Sequence, residues 1–183
     1  MKLVTYNDNG HGQLGFLIDN KIYSANAADS SLPGTMAELL ANWENSIDLM
    51  KQTAAAIASG SLSVPGIAYN GINVLAPVPN PSSCRDGYAF RQHVAAARRN
   101  RKVDMIAEFD QYPIFYFTNH NAIQGPGDIL CMPDHFKKLD FELEAAIVIC
   151  KKGRNITAAE ADEYIGGYMI MNDMSARTLQ MEE

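Results

Sequence analysis

The chain has 183 residues, 47% hydrophobic and 20% charged, values typical of a globular protein and far from a disordered or fibrous one. Lys and Arg number 15 against 21 Asp and Glu, a net charge of −6 that argues against nucleic acid as a partner. The N-terminus lacks the apolar stretch of a secretory signal, and no window reaches about eighteen uninterrupted apolar residues, so neither export nor a membrane partner is expected.

In chain order, residues 2–24 predict a strand meander. Leu3-Val4-Thr5-Tyr6, Gln13 to Ile18 and Ile22-Tyr23 are β-prone, and Asp8-Asn9-Gly10 and Asp19-Asn20 supply turns between them. Two helices are predicted over residues 35–42 and 46–59, the second with Ile47, Met50, Ala54 and Ile57 at helical spacing. Residues 60–81 are rich in Gly, Pro and Ser around one short strand candidate, Ile72-Asn73-Val74-Leu75. A boundary near residue 75 is expected, giving domains 1–75 and 76–183. Beyond it a helix is predicted over 83–100, entered from Ser82 and Ser83 and ending in the basic run Arg98-Arg99-Asn100-Arg101-Lys102. That run reads as a solvated helix end favoured by the macrodipole; gripping a carboxylate substrate is its alternative role. Strands are expected over 113–118, 129–132, 141–149 and 166–171. Gly125-Pro126-Gly127-Asp128 reads as a turn and Thr157-Ala158-Ala159-Glu160 as a capping box opening a short helix. The fold class is therefore α+β, mainly β. With so much strand content after residue 110 and no partner strands in view, the sequence reads as cut short at Glu183.

The three cysteines, Cys84, Cys131 and Cys150, are odd in number and far apart, forming neither a disulfide framework nor a CxxC pair. A reduced, cytoplasmic setting is expected, with each thiol a small core hydrophobe in preference to a nucleophile.

The chemistry concentrates in Asp140-Phe141-Glu142-Leu143-Glu144 and Asn172-Asp173-Met174-Ser175-Ala176-Arg177. Glu142 and Glu144 sit two apart on a predicted strand, so both point to one face, roughly 6–7 Å apart at the backbone. Two like charges side by side repel, and a divalent cation between them relieves that. By itself such a pair is ordinarily a solvent-facing edge. Here it opens the apolar run Ala145-Ala146-Ile147-Val148-Ile149, which reads as a strand buried on both faces and would partly desolvate the carboxylates. Asp173 ends a strand, where it could serve a site or close an Asx turn. Arg177 could pair structurally with a carboxylate or hold an anionic substrate. Asp86 and His93, seven apart, would share a face of the predicted helix, with Tyr88 between them. His93 could be structural, or a base near neutral pH. Carboxylate ligation without clustered His or Cys points to Mg²⁺ or Ca²⁺ in preference to Zn²⁺.

Together with Asp86-Gly87-Tyr88-Ala89-Phe90-Arg91-Gln92-His93, Gly125-Pro126-Gly127-Asp128 and Gly166-Gly167-Tyr168, these motifs resemble the fumarylacetoacetate hydrolase family in order and spacing from about residue 84 to Gln180. The resemblance implies a partial β-sandwich roll preceded by a small N-terminal α+β domain. It also implies one Mg²⁺ (or Ca²⁺ or Mn²⁺) on Asp86, Glu142, Glu144 and Asp173. His93 becomes the catalytic histidine, Tyr88 and Tyr116 substrate contacts, and Arg177 and Gln180 groups for the substrate or its developing oxyanion. The implied reaction is hydrolysis of a carbon–carbon bond in a 1,3-diketo acid. The cation acts as Lewis acid, His93 deprotonates water, and an enolate leaves. A homodimer is implied as well. The sequence departs from the family at Thr178, where aspartate is common, and lacks a later lysine and glutamate that family members use. Two other readings stay open. One is decarboxylation, isomerisation or dehydration of a 2-oxo acid on the same fold. The other is a non-catalytic fragment.

Overall fold

The computed structural model describes residues 1–131 and 137–180. It begins with β1 (Leu3–Asp8), β2 (His11–Ile18) and β3 (Lys21–Ser24), an antiparallel meander as expected. Both turns use left-handed backbone at the positions the sequence marked: Asn9 and Gly10, then Asp19 and Asn20. Asn7 fixes the first turn by accepting the Gly10 N–H through its side chain at 2.7 Å.

A single turn, α1 (Ala25–Ala28), leads to α2 (Met36–Ala41) and α3 (Trp43–Ala58). Thr35 opens α2 with a complete capping box: its hydroxyl accepts the Glu38 N–H at 3.2 Å, and the Glu38 carboxylate accepts the Thr35 N–H at 3.1 Å. Leu39 from α2 and Met50, Ala54 and Ile57 from α3 bury against Leu14 and Phe16 of β2, forming the main core. Ile47, expected on the same stripe, is half-buried. A smaller core gathers Val4, Tyr6 and Ile22 on the other face of the meander.

The strand expected at residues 72–75 forms only an isolated bridge, Tyr6 to Val74. Gly71 has positive φ, and Pro77 follows soon after, so the segment is too short to extend. It still lies along β1: the Asn7 N–H donates to Asn73 O and the Leu75 N–H to Thr5 O, both at 2.8 Å. The fourth strand of this sheet is instead β4 (Ile67–Ala68), paired with β3.

Next come β5 (Arg85–Gly87), α4 (Arg91–Asn100) and β6 (Phe115–Phe117). The helix expected over 83–100 therefore starts only at Arg91. Its first third is an antiparallel partner of β6, with Asp86 opposite Tyr116 and Gly87 opposite Phe115. The aromatic strand offers Arg85–Gly87 a ladder, which the local serine signal could not reveal. The basic run closes α4 as read: the Arg98 Nε–H donates to Asp104 O at 2.6 Å.

The chain continues through the bend at 125–128 without a strand at 129–131. Met132, the last residue of that expected strand, lies outside the described residues. It then forms β7 (Leu139–Asp140), β8 (Leu143–Ile149), β9 (Ile165–Asn172), β10 (Ser175–Ala176) and the single turn α5 (Arg177–Gln180). Before β9 lies a 3₁₀ turn, Ala161–Tyr164, in place of the short helix expected there. Thr157 and Glu160 make only half of a capping box: the Glu160 carboxylate accepts from the Thr157 N–H and hydroxyl, while the Glu160 N–H goes to Thr157 O.

β8 and β9 pair antiparallel from Leu143–Asn172 to Ile149–Ile165, with an irregularity between Val148 and Ile149. The expectation that β8 is buried on both faces fails. Its residues alternate between exposed and half-buried, and Phe141, Leu143, Ile147, Ile149, Tyr168 and Ile170 form an exposed apolar face. A two-stranded sheet has two faces, and only one turns toward the N-terminal elements. On that side Val148 and Met169 line a cavity of about 350 Å³ with Leu17, Met36, Leu40 and Trp43. Trp43 also lies against Gly166, where a Cβ would come within 3.0 Å of the indole and 2.8 Å of the Cys150 Cβ. Lys151, after β8, pairs with Glu44 of α3 at 3.4 Å.

By contacts the chain divides into two compact units, Met1–Pro79 with Gln124–Glu183, and Asn80–Ile123. The chain leaves the first unit at Pro79, four residues past the expected boundary, and returns to it at Gln124. Strand slightly exceeds helix, so the class is α+β as expected. Among the described residues, no helix is long and apolar enough to cross a membrane.

Candidate functional site

The first unit carries Glu142, Glu144, Asp173, Arg177 and Gln180. The two glutamates share the half-buried face, with the exposed Phe141 and Leu143 alternating with them, as the strand period requires. Asp173 lies beside them because β9 ends there: its N–H donates to Glu142 O at 3.0 Å, and the Asn172 side chain accepts the Glu142 N–H at 3.2 Å. These two bonds knit the end of β9 to the entry of β8.

Arg177 is held by carboxylates on two sides. Its Nε donates to Asp140 at 3.0 Å and its Nη1 contacts Glu142 at 2.6 Å and Gln180 Oε1 at 3.0 Å. Backbone pairing makes this possible. Ser175 lies opposite Asp140 in the β7–β10 ladder, and the Arg177 N–H donates to Lys138 O at 3.0 Å. The bond to Glu142, followed by that to Asp140, raises the proton affinity of the guanidinium further. Of the two roles open to Arg177, carboxylate pairing is therefore present. Asp140 has no role of its own in the motif as read from sequence. The available signal was its place two residues before Glu142, at the head of the glutamate motif.

The second unit carries Asp86, Tyr88, His93 and Tyr116. The Tyr116 hydroxyl donates to Asp86 Oδ2 at 3.3 Å across the β5–β6 ladder. Asp86 and His93 do not share a helix face, because Asp86 is on β5 and His93 in the first turn of α4. Instead His93 is exposed beside Tyr88, with ring centroids 6.4 Å apart. Arg91, two residues before, makes a paired contact with Asp110: Nε to Oδ1 at 3.0 Å and Nη2 to Oδ2 at 2.9 Å. That guanidinium holds the Asp110 carboxyl below the usual aspartate range.

The cysteines divide by position. Cys150 is buried, and burial pushes its thiol up; Cys84 is half-buried; Cys131 is exposed, against the expectation of a core residue. Cys131 follows the 125–128 bend and belongs to no strand among the described residues.

Among the described residues, no three His, Cys, Asp or Glu side chains are grouped so as to hold a metal ion. Glu142 is turned instead toward Arg177. The donor chemistry of the first unit nonetheless fits a hard divalent cation, since Glu142, Glu144 and Asp173 offer only carboxylate oxygens from half-buried positions at adjoining strand ends.

The family model described as "Fumarylacetoacetate (FAA) hydrolase C-terminal" matches residues 83–183, more than half of the chain. A fumarylacetoacetate hydrolase domain-containing protein 2 homolog from Dictyostelium discoideum is 29% identical over 186 residues, covering all of this chain and 57% of that protein. The mitochondrial oxaloacetate tautomerase Fahd2a of Rattus norvegicus is 30% identical over 166 residues, covering 90% of this chain and 48% of that protein. Among solved structures, a fumarylacetoacetate hydrolase from Exiguobacterium antarcticum superposes with a TM-score of 0.68 at 23% identity, covering 100% of this chain and 58% of that one. A maleylpyruvate hydrolase from Sphingobium gives 0.62 at 20% identity, with 95% and 59% covered. The chain spans about half the length of the curated relatives it matches, and it belongs to the fumarylacetoacetate hydrolase family.

Proposed function

We propose that this member of the fumarylacetoacetate hydrolase family carries part of the site of a divalent-cation-dependent enzyme that acts on a short 2-oxo acid through its enol form. Keto–enol isomerisation is the first reaction to test. The observation that carries this choice is the likeness, at 29–30% identity, to curated oxaloacetate tautomerases such as those of Rattus norvegicus and Xenopus laevis. Isomerisation needs only a proton moved between carbon and oxygen. The carboxylate of such a substrate calls for a guanidinium, and Arg177 supplies one among carboxylates. Gln180, bonded to Arg177, adds an amide within the same cluster.

Glu142, Glu144 and Asp173 are the ligands proposed from the first unit, and the family resemblance adds Asp86. Mg²⁺ is the cation proposed, with Mn²⁺ and Ca²⁺ as alternatives; when bound it supplies Lewis acidity to the carbonyl oxygen. His93 is the proposed base, exposed and free to meet a carbon acid, with Tyr88 against its ring and Tyr116 as a further substrate contact. In the keto direction a proton leaves the enol oxygen and another is delivered to the adjacent carbon, so the acid is conserved atom for atom. Hydrolysis of a carbon–carbon bond in a 1,3-diketo acid is the second reading. It uses the same base on water, and the exposed position of His93 favours it by leaving room for that water. A homodimer belongs to the proposal.

The test is loss of the enol absorbance of freshly dissolved oxaloacetate, with and without Mg²⁺, for the 183-residue chain and its Glu144→Gln variant. Acceleration that needs Mg²⁺ and disappears in the variant supports the isomerase reading. Cleavage of an acylpyruvate into two acids, without effect on oxaloacetate, selects hydrolysis. Failure of both removes these two reactions and favours decarboxylation or dehydration of a 2-oxo acid, or a non-catalytic role.

A further inference from the structure

Protein interiors are close-packed, with few voids larger than a water molecule. The cavity between the β8–β9 hairpin and the N-terminal elements holds about 350 Å³, and none of the candidate site residues lines it. Leu17, Met36, Leu40 and Trp43 wall it on one side, Val148 and Met169 on the other. Glu142 and Asp173 lie toward the opposite end of the hairpin, where Leu143 pairs with Asn172. We propose that this cavity binds a medium-chain acyl carboxylate, its tail between Trp43 and the hairpin and its headgroup at Lys2. Such a site is independent of the oxo-acid chemistry proposed above and needs no metal ion.

The walls select the tail. Among the lining residues only Lys2 carries a charged side chain, so water inside finds few partners and an apolar guest displaces it at little cost. A volume of 350 Å³ equals roughly a dozen waters at about 30 Å³ each, room for a chain of about eight carbons. It also falls in the size range of small-molecule pockets, which are mostly apolar with a few placed polar groups. Glycine keeps the hairpin side open. Gly167 lies opposite Val148 in the ladder, and an added Cβ there meets nothing within 4 Å. The rim selects the head. Lys2 is exposed, lines the cavity and has no ion-pair partner among the described residues. A lysine lays its methylene stem along apolar surface and keeps its ammonium in water. A carboxylate leaving the cavity mouth meets that charge, whereas a cationic amphiphile is repelled by it.

Fluorescence of Trp43, the sole tryptophan, titrated with octanoate in the 183-residue chain tests this. A saturable change at millimolar octanoate is expected, and its absence would overturn the proposal. Hexanoate should bind about ten-fold more weakly, the loss expected for its two fewer buried methylenes. Equal affinity for the two acids would put the tail outside the cavity and overturn it. Lys2→Met should weaken octanoate by about three-fold, as for an exposed ion pair, and leave octanol unchanged. An equal effect on acid and alcohol, or none on the acid, refutes the headgroup assignment. Gly167→Leu fills the cavity from the hairpin side and should abolish octanoate binding, with a melting temperature at or above that of the parent. Binding that persists in this variant would place octanoate on the exposed face of the hairpin, and the cavity site would fall. Should Gly167→Leu fail to fold, the chain-length series and Lys2→Met, an exposed position, still decide.

Discussion

Two adjacent glycines in β9 make a matched experiment, because the structure assigns them opposite responses to the same added methyl group. At Gly166 a Cβ would fall 2.8 Å from the Cys150 Cβ and 3.0 Å from the rim of the Trp43 indole. The first neighbour is fixed to the backbone of the next strand and cannot swing away, so the strands or the indole must shift. Overpacking of this kind costs roughly 1–3 kcal/mol. Against that stands a gain of about 0.4–1 kcal/mol, because alanine restricts the unfolded chain more than glycine does. Gly166→Ala should therefore lose about 1–2 kcal/mol. At Gly167 an added Cβ meets nothing within 4 Å, so Gly167→Ala keeps the gain alone and should be neutral or stabilising by about 0.4–1 kcal/mol. Urea titration followed by fluorescence is the assay. Trp43 is the chain's sole tryptophan and touches the substituted position, so the signal reports the contact in question. Equal effects of the two substitutions, or a Gly166→Ala midpoint at or above that of the parent, would refute the packing of α3 on β9 described above.

Other outcomes follow from single contacts. Thr35→Ala removes the capping hydroxyl of α2 and should cost about 1 kcal/mol in the same urea titration, with Thr35→Ser retaining most of it. Asp110 has its folded pKa depressed by Arg91, so this pair adds stability above the ordinary aspartate pKa and loses it as pH falls through the lower folded value. The stability–pH curve of Asp110→Asn should be flatter in that acidic window only, and identical curves would remove the pair from the account. On the proposed function, His93→Ala should slow loss of oxaloacetate enol relative to the unsubstituted chain, and addition of Mg²⁺ should shift the melting temperature of both chains equally. Loss of turnover and of that shift together in the variant would make His93 structural.

Much of the N-terminal fold was legible because its signals are local. Asp8-Asn9-Gly10 and Asp19-Asn20 adopt the left-handed turns that their side chains tolerate, and Thr35 with Glu38 announces α2 three residues apart. Errors came where a distant partner decided the outcome. Arg85–Gly87 is a strand only because Phe115–Phe117 lies beside it, and Asp86 meets Tyr116 across 30 residues. Residues 72–75, with fair strand propensity, find only β1 and remain a bridge. The shared face of Glu142 and Glu144 could be read from the two-residue period. The grip of Asp140 and Glu142 on Arg177 could not, since it depends on how β7 pairs with β10.

The exposed side of the β8–β9 hairpin has a practical meaning for anyone handling this chain. Phe141, Leu143, Tyr168 and Ile170 each show at least two-thirds of their surface to water, and a ribbon of this composition is a natural seed for clumping during synthesis and concentration. Cooling weakens the attraction between such surfaces, and dilution slows their encounter. Yield should therefore rise with low expression temperature and with chaperones that mask greasy segments. A polar change at Leu143 or Ile170, both pointing to water, should improve recovery more than any change inside the meander.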